Sequence, residues 1–307
     1  MTRYQEPEFL PWDGRRVPLT LVGGYLGAGK TTAINEVLAL TDRPIAVIVN
    51  DVGAINIDAA LIRRRHGDTI ELTDGCVCCS SIDDLGAAFD QIRARPEAPD
   101  QVIVELSGVA EPAQLVHWGR SAGFRLDGVI VTAAADQLTG TAELPAWVTS
   151  RIEQQIAEAD LLILTKTDTV DATTADMARA RLADLAPATP VLDTGADTIG
   201  PDTAARFLSL GGRRPGGPAA VPDPTLFDSH AVSTVAAPDD LRLAEIDRWI
   251  DAVCRTGHGT VVRIKGMVDT IDAGPMLIQV VGRRRQVTPV PRPERLPTTD
   301  LAVISLR

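Results

Sequence analysis

The chain has 307 residues, 45% of them hydrophobic, and a formal net charge of −11. That length and apolar content suffice for one sizeable domain and a smaller companion. The acidic balance argues against nucleic acid as the main partner, because phosphate binding calls for a basic face, and no apolar run approaches the roughly 20 residues that cross a bilayer.

The chain opens on "MTRYQEPEFLPWDGRR". It has charge and proline but no apolar run, so residues 1–16 read as a loose leader and not an export signal. The expectation is a cytoplasmic globular protein. From residue 17 to about 210, short runs rich in Val, Ile and Leu follow one another: "VPLTLVGG", "PIAVIVND", "QVIVELSG", "LDGVIVTAAA", "LLILTKTD" and "TPVLDTG". Near-continuous apolar runs suit parallel strands buried on both faces. Between them, "TTAINEVLAL", "SIDDLGAAFDQIRARP", "PAWVTSRIEQQIAEA" and "TTADMARARLADLA" have helical apolar spacing. This alternation predicts an α/β domain with a mostly parallel sheet over 17–210.

The pattern stops at "GGRRPGGPAAVPDP", residues 211–224, whose Gly, Pro and Ala content predicts a linker. Over 225–307 come a helix candidate, "PDDLRLAEIDRWIDAVCR", and the β-rich runs "GTVVRIKGMVDTI", "GPMLIQVVGRRRQVTPV" and "DLAVISLR". They predict a small α+β domain.

Chemistry enters at "GYLGAGKT", Gly24 to Thr31, which satisfies G-x-x-x-x-G-K-[ST] after a strand and before a helix. Glycine lets such a loop wrap closely enough for backbone N–H groups to point at phosphate oxygens. Gly24, Gly27, Ala28, Gly29, Lys30, Thr31 and Thr32 are therefore the expected phosphate-binding residues. The Lys30 charge serves the β/γ-phosphates and the Thr31 hydroxyl serves Mg²⁺. Further on, Thr165, Lys166 and Asp168 of "TKTD" form a variant of the N/T-K-x-D base-reading motif. A carboxylate at Asp168 accepts hydrogen bonds from guanine N1–H and the 2-amino group. Adenine lacks the amino group and presents a lone pair at N1, so it would leave a buried carboxylate unpaired, and such a site can reject it by several kcal/mol. "DTG", 193–195, adds backbone contacts to the base in the same reading. Asp51 and Glu105 each stand just past a strand and are the acidic candidates for the Mg²⁺ region.

In this order, "GYLGAGKTT", "NDVG", "GCVCC", "ELSGVAEP" and "TKTD" resemble the CobW family of P-loop GTPases, metal-chaperone relatives of the GTPases that mature urease and hydrogenase. The likeness covers residues 18 to about 200, with "RIKGMVD" and "IQVVGRRR" more loosely similar to the family's C-terminal domain. Here Val52 occupies a position that is usually aromatic, alanine replaces an acidic residue after the strand at 129–133 with Asp136 two positions later, and the linker carries no histidine. The resemblance implies slow GTP hydrolysis with Lys30, Asp51 and Glu105 in catalytic roles. It also implies GTP/GDP and Mg²⁺ as ligands, a Zn²⁺ or Co²⁺ cargo, and a client metalloprotein.

"DGCVCCS" holds three of the four cysteines, Cys76, Cys78 and Cys79. Zn²⁺ prefers four tetrahedral N/S ligands, and C-x-C-C supplies at most three. The fourth must come from water, a carboxylate, a histidine, a nucleotide-dependent segment or a second copy in a homodimer. An incomplete shell suits a carrier that releases its cargo. Buried cysteines acting as small hydrophobes and a redox-sensing thiol cluster are the competing readings. Cys254 reads as core; His66, His117, His230 and His258 are scattered, and Arg283, Arg284 and Arg285 read as a solvated strand end. Two rivals in other classes are a non-enzymatic GTP-responsive metal sensor or buffer, separated by multiple-turnover phosphate release, and a P-loop small-molecule kinase, separated by ATP preference.

Overall fold

The protein is described by a computed structural model over residues 11–49, 69–71, 82–140, 144–195, 199–212, 230–255, 260–281, 284–290 and 300–306. The chain forms two compact units. The first contains, in order, β1 (Val17–Gly23), α1 (Lys30–Ala39), β2 (Ile45–Val49), β3 (Thr69–Glu71), α2 (Ile82–Arg93), β4 (Gln101–Glu105), α3 (Pro112–Leu115) and β5 (Phe124–Ala134). It continues with α4 (Ala135–Leu138), α5 (Ala146–Ala157), β6 (Leu161–Thr165), α6 (Ala172–Leu185), β7 (Val191–Asp193) and α7 (Pro201–Phe207). The described strands make a seven-stranded sheet in the order β3-β2-β4-β1-β5-β6-β7. Every pairing in it is parallel.

Every residue of β2, β4 and β6 is buried. Successive strand residues point to opposite faces, so uniform burial means that both faces of the sheet are covered. On one face Ala33, Ile34 and Val37 of α1 and Phe207 of α7 pack against Val22, Val47, Ile103 and Ile163. Elsewhere in this unit Phe89 of α2 stacks on Trp118 (ring centroids 5.1 Å apart) and lies 4.8 Å from Phe124. Trp12, within the segment read as a leader, donates to the Arg95 carbonyl (3.1 Å) and meets Phe124 edge-on.

The topology positions the site. From β1 the chain passes to strands on one flank, then returns to β5 on the other. Loops that leave neighbouring strands in opposite directions open a crevice at the carboxyl edge of such a sheet. The registers place Val22 beside Glu105 and Ala134 beside Thr165, so the ends of β1, β4, β5 and β6 meet at that crevice.

The second unit contains β8 (His230–Ala236), α8 (Ile246–Arg255), β9 (Thr260–Thr270), β10 (Gly274–Val281), β11 (Arg284–Pro289) and β12 (Asp300–Leu306). Its five-stranded sheet has the order β11-β10-β9-β12-β8 and is antiparallel throughout. Ile246, Ile250 and Val253 recur at helical spacing on α8 and share a core with Ile264, Val268, Ile278, Leu301 and Val303. The expected run "GPMLIQVVGRRRQVTPV" is two strands, β10 and β11, paired to each other. β3, β8 and α7 were not anticipated from the sequence. Among the described residues no helix is long and apolar enough to cross a membrane.

Candidate nucleotide site

The loop from Gly24 to Gly29 joins β1 to α1 and folds against its own lysine. Gly24 has φ +129°, and a Cβ there would stand 2.3 Å from the Thr132 carbonyl oxygen, so only glycine fits. Gly27 and Gly29 also have positive φ, at +73° and +94°. Lys30, the first residue of α1, is 6% exposed, and its Nζ donates to the Gly24 carbonyl at 2.9 Å. That ammonium is held against the loop's own backbone, from where it could supply counter-charge to a phosphate bound there.

The adjacent Thr31 Oγ1 donates to Glu105 Oε1 at 2.8 Å. Glu105, at the end of β4, is 3% exposed. A hydroxyl and a carboxylate side by side beside a phosphate loop are hard oxygen donors, the set that fits Mg²⁺ with its retained waters. Of the two carboxylates expected near this cation, Glu105 is brought to Thr31. Asp51 lies outside the described residues.

The strand-end motif of β6 is laid across the same loop. Thr165 Oγ1 donates to the Ala28 carbonyl at 2.8 Å, and Lys166 Nζ donates to the Gly27 carbonyl. Lys166 has φ +61°, the left-handed conformation that non-glycine residues rarely adopt. Asp168 follows in the 3-10 turn Thr167–Thr169 and is exposed, not buried as the sequence reading assumed, so its carboxylate would lose water only when a base covers it. A cavity at this point is lined by Gly29, Thr32, Glu36, Lys166, Asp168, Thr194 and Gly195, among others. The "DTG" segment forms one wall, with Asp193 Oδ1 accepting from Thr167 Oγ1 and from the Gly195 N–H, both at 3.1 Å. The glycine loop and the "TKTD" segment thus line one cavity, through Gly29 and through Thr165, Lys166 and Asp168.

Several lining residues escaped the sequence reading. Glu36 reaches the cavity and its Oε2 accepts the Ile199 N–H at 2.9 Å. A signal existed: Glu36 stands four residues after Thr32, on the same helical face. Gln137 holds the Leu26 carbonyl of the loop through Nε2 at 2.8 Å, a contact across 111 residues with no local signal.

Cys76, Cys78 and Cys79 lie outside the described residues, as do His66, His258 and Arg283. Among the described residues no group of three or more His, Cys, Asp and Glu is arranged to hold a metal. His117 is exposed, with Nδ1 2.8 Å from the Gln114 carbonyl. His230 begins β8 and Arg284 begins β11. Cys254 packs at the edge of the second core, and burial pushes its thiol up from the ordinary value. Arg285 pairs with Asp251 of α8 and holds that carboxyl below its ordinary range.

A family model described as "CobW/HypB/UreG, nucleotide-binding domain" matches residues 18–193. A protein named "Zinc chaperone CobW" from Sinorhizobium sp. is 31% identical over 186 residues, 51% of this chain and 52% of that protein. "Zinc chaperone YjiA" from Escherichia coli (strain K12) is 32% identical over 162 residues, half of each chain. "Zinc-regulated GTPase metalloprotein activator 1" from Saccharomyces cerevisiae is 28% identical over 183 residues, 51% of this chain and 42% of that one. The chain spans about half the length of the curated relatives it matches.

Proposed function

The chain belongs to the CobW/HypB/UreG nucleotide-binding family, and from that membership we propose that it is a slow GTPase acting as a metal chaperone. In this reading it binds Zn²⁺ or Co²⁺ at Cys76, Cys78 and Cys79 and couples transfer of the ion to a client metalloprotein with GTP hydrolysis. The observation that carries the nucleotide half is the cavity lined by Gly29 and Thr32 of the glycine loop and its helix and by Thr165, Lys166 and Asp168 of the strand-end motif, with Lys30 and the Thr31–Glu105 pair on the intervening residues of the same loop and helix start.

Each residue has a role that follows from its chemistry. The glycine loop and Lys30 hold the phosphates and offset their charge, while Asp168 reads the guanine edge. Thr31 and Glu105 hold Mg²⁺, which when bound supplies positive charge to the β- and γ-phosphate oxygens. Asp51 orients the attacking water. Catalysis in this reading rests on positioning and electrostatics, which suits slow turnover. The metal half is supported by the C-x-C-C spacing and by the zinc-chaperone names of the relatives.

Competition binding with labelled GTP tests the base assignment: unlabelled ATP should compete far more weakly than GTP, and Asp168→Asn should narrow the gap. ATP competing as well as GTP defeats it. An anaerobic Co²⁺ titration followed by thiolate absorbance tests the coupling. Affinity should differ between the GTP and GDP forms by about 5- to 150-fold, the usual range of allosteric coupling. Identical isotherms leave a GTPase without a chaperone mechanism.

A further inference from the structure

Helix α5 and the loop after β4 are joined by a buried polar network that the hydrolysis reading does not use. Glu111 and Arg151 are 2% and 4% exposed, and Arg151 Nη1 donates to Glu111 Oε1. Glu111 Oε2 accepts Gln114 Nε2 at 2.8 Å. One helical turn beyond Arg151, Gln155 Nε2 donates to the Ala110 carbonyl at 2.7 Å and the Gly108 carbonyl at 3.2 Å. The same face of α5 therefore grips both a side chain and the backbone of the segment that begins at Glu105.

That segment also presses on the phosphate loop. A Cβ on Gly108 would stand 2.6 Å from the Leu26 backbone nitrogen, so the two backbones are in direct contact. The Leu26 carbonyl is fixed in turn by Gln137. The Arg151 charge reaches the loop as well, since it opposes the upward push that burial gives the Tyr25 phenol.

Desolvating an arginine and a glutamate costs so much that well-packed apolar residues of similar volume often serve stability as well or better. Stability alone therefore does not account for this pair. We propose that Arg151 and Gln155 are positioning residues: through Glu111 and the carbonyls of Gly108 and Ala110 they hold the segment after β4 against the phosphate loop, setting the separation of Glu105 from Thr31 that divalent-cation binding requires. The inference rests on the nucleotide reading of the crevice. It adds to that reading a brace from a helix that contributes no ligand.

The test separates the two ideas by using GDP with and without Mg²⁺. Fluorescent GDP binding in EDTA reports the loop and base pocket alone; Mg²⁺ titration of the GDP complex reports the Thr31–Glu105 spacing. Wild type is compared with Glu111→Gln, Gln155→Leu and the double variant Glu111→Leu/Arg151→Met, which leaves no unpaired charge and keeps the comparison valid where a single variant misfolds. Expected is GDP affinity in EDTA within about threefold of wild type, with half-saturating Mg²⁺ raised about tenfold or more, the usual effect of removing an outer-shell partner. Half-saturating Mg²⁺ unchanged in the folded double variant overturns the proposal. So does loss of GDP affinity in EDTA to the same degree, since that marks a merely structural role. Wild type that binds no GDP in either condition defeats the nucleotide reading itself, and the brace falls with it.

Discussion

Gly24 illustrates how little freedom the site leaves at single positions. Its φ of +129° and the 2.3 Å approach of the Thr132 carbonyl to a would-be Cβ act together, one through the backbone and one through contact. Gly24→Ala must shift the loop away from the geometry in which Lys30 meets the Gly24 carbonyl. A strained non-glycine residue costs on the order of 1–3 kcal/mol, which predicts GDP binding weaker by about 5- to 150-fold. Calorimetric titration with circular dichroism as a folding control checks it; wild-type affinity means the loop adapts. Lys30→Ala removes the counter-charge itself. It should abolish most phosphate release while the fold persists, because the change deletes charge and leaves the glycine geometry untouched.

Among the elements, α6 carries a cap with a pH signature. The Asp171 side chain accepts the Thr174 N–H at 2.7 Å at the helix N-terminus, and this hydrogen bonding holds its carboxyl below the ordinary value. A carboxyl depressed in the folded state stabilises the fold above its unfolded pKa, near 4, and that contribution fades as pH falls through the folded value. Asp171→Ala should therefore lower the melting temperature at pH 7, with the difference shrinking below about pH 4. Asp171→Asn keeps the acceptor but not the charge, so it should retain part of the pH 7 stability and lose the pH dependence. A deficit that is the same at every pH would mean the cap's charge has no part in it. Helix α5 belongs to this scale too: its apolar spacing is plain in "PAWVTSRIEQQIAEA", but only the structure shows that Arg151 and Gln155 lie buried on it.

At the scale of the whole molecule, among the described residues the core built on α1 and the parallel sheet shares no residue with the core built on α8 and the antiparallel sheet. Ligand binding stabilises only what it binds, by about 2.7 kcal/mol when the ligand stands at 100 times its dissociation constant. Scanning calorimetry with saturating GDP should accordingly raise the transition of the first unit and leave that of the second in place. A single transition that moves as a whole would show that the two cores melt as one cooperative block.

Sequence by itself determined what depends on neighbours along the chain. Glycines at 24, 27 and 29 followed by Lys30 and Thr31 specify a tight loop that opens a helix, because that geometry is a matter of local backbone freedom and a helix start. The runs "PIAVIVND" and "LLILTKTD" specify buried parallel strands, because uniform apolarity has few other uses at that length. The split of 274–289 into β10 and β11 was less legible, since "GRRR" is polar without an obvious turn pair. Only the tertiary structure decided the contacts that join distant segments. Thr31 meets Glu105 across 74 residues, Glu36 meets Ile199 across 163, and Arg151 meets Glu111 across 40. Each depends on which strand ends become neighbours and which helix covers them. The order of strands in a sheet is set by long-range packing and is not encoded in the spacing of any one motif.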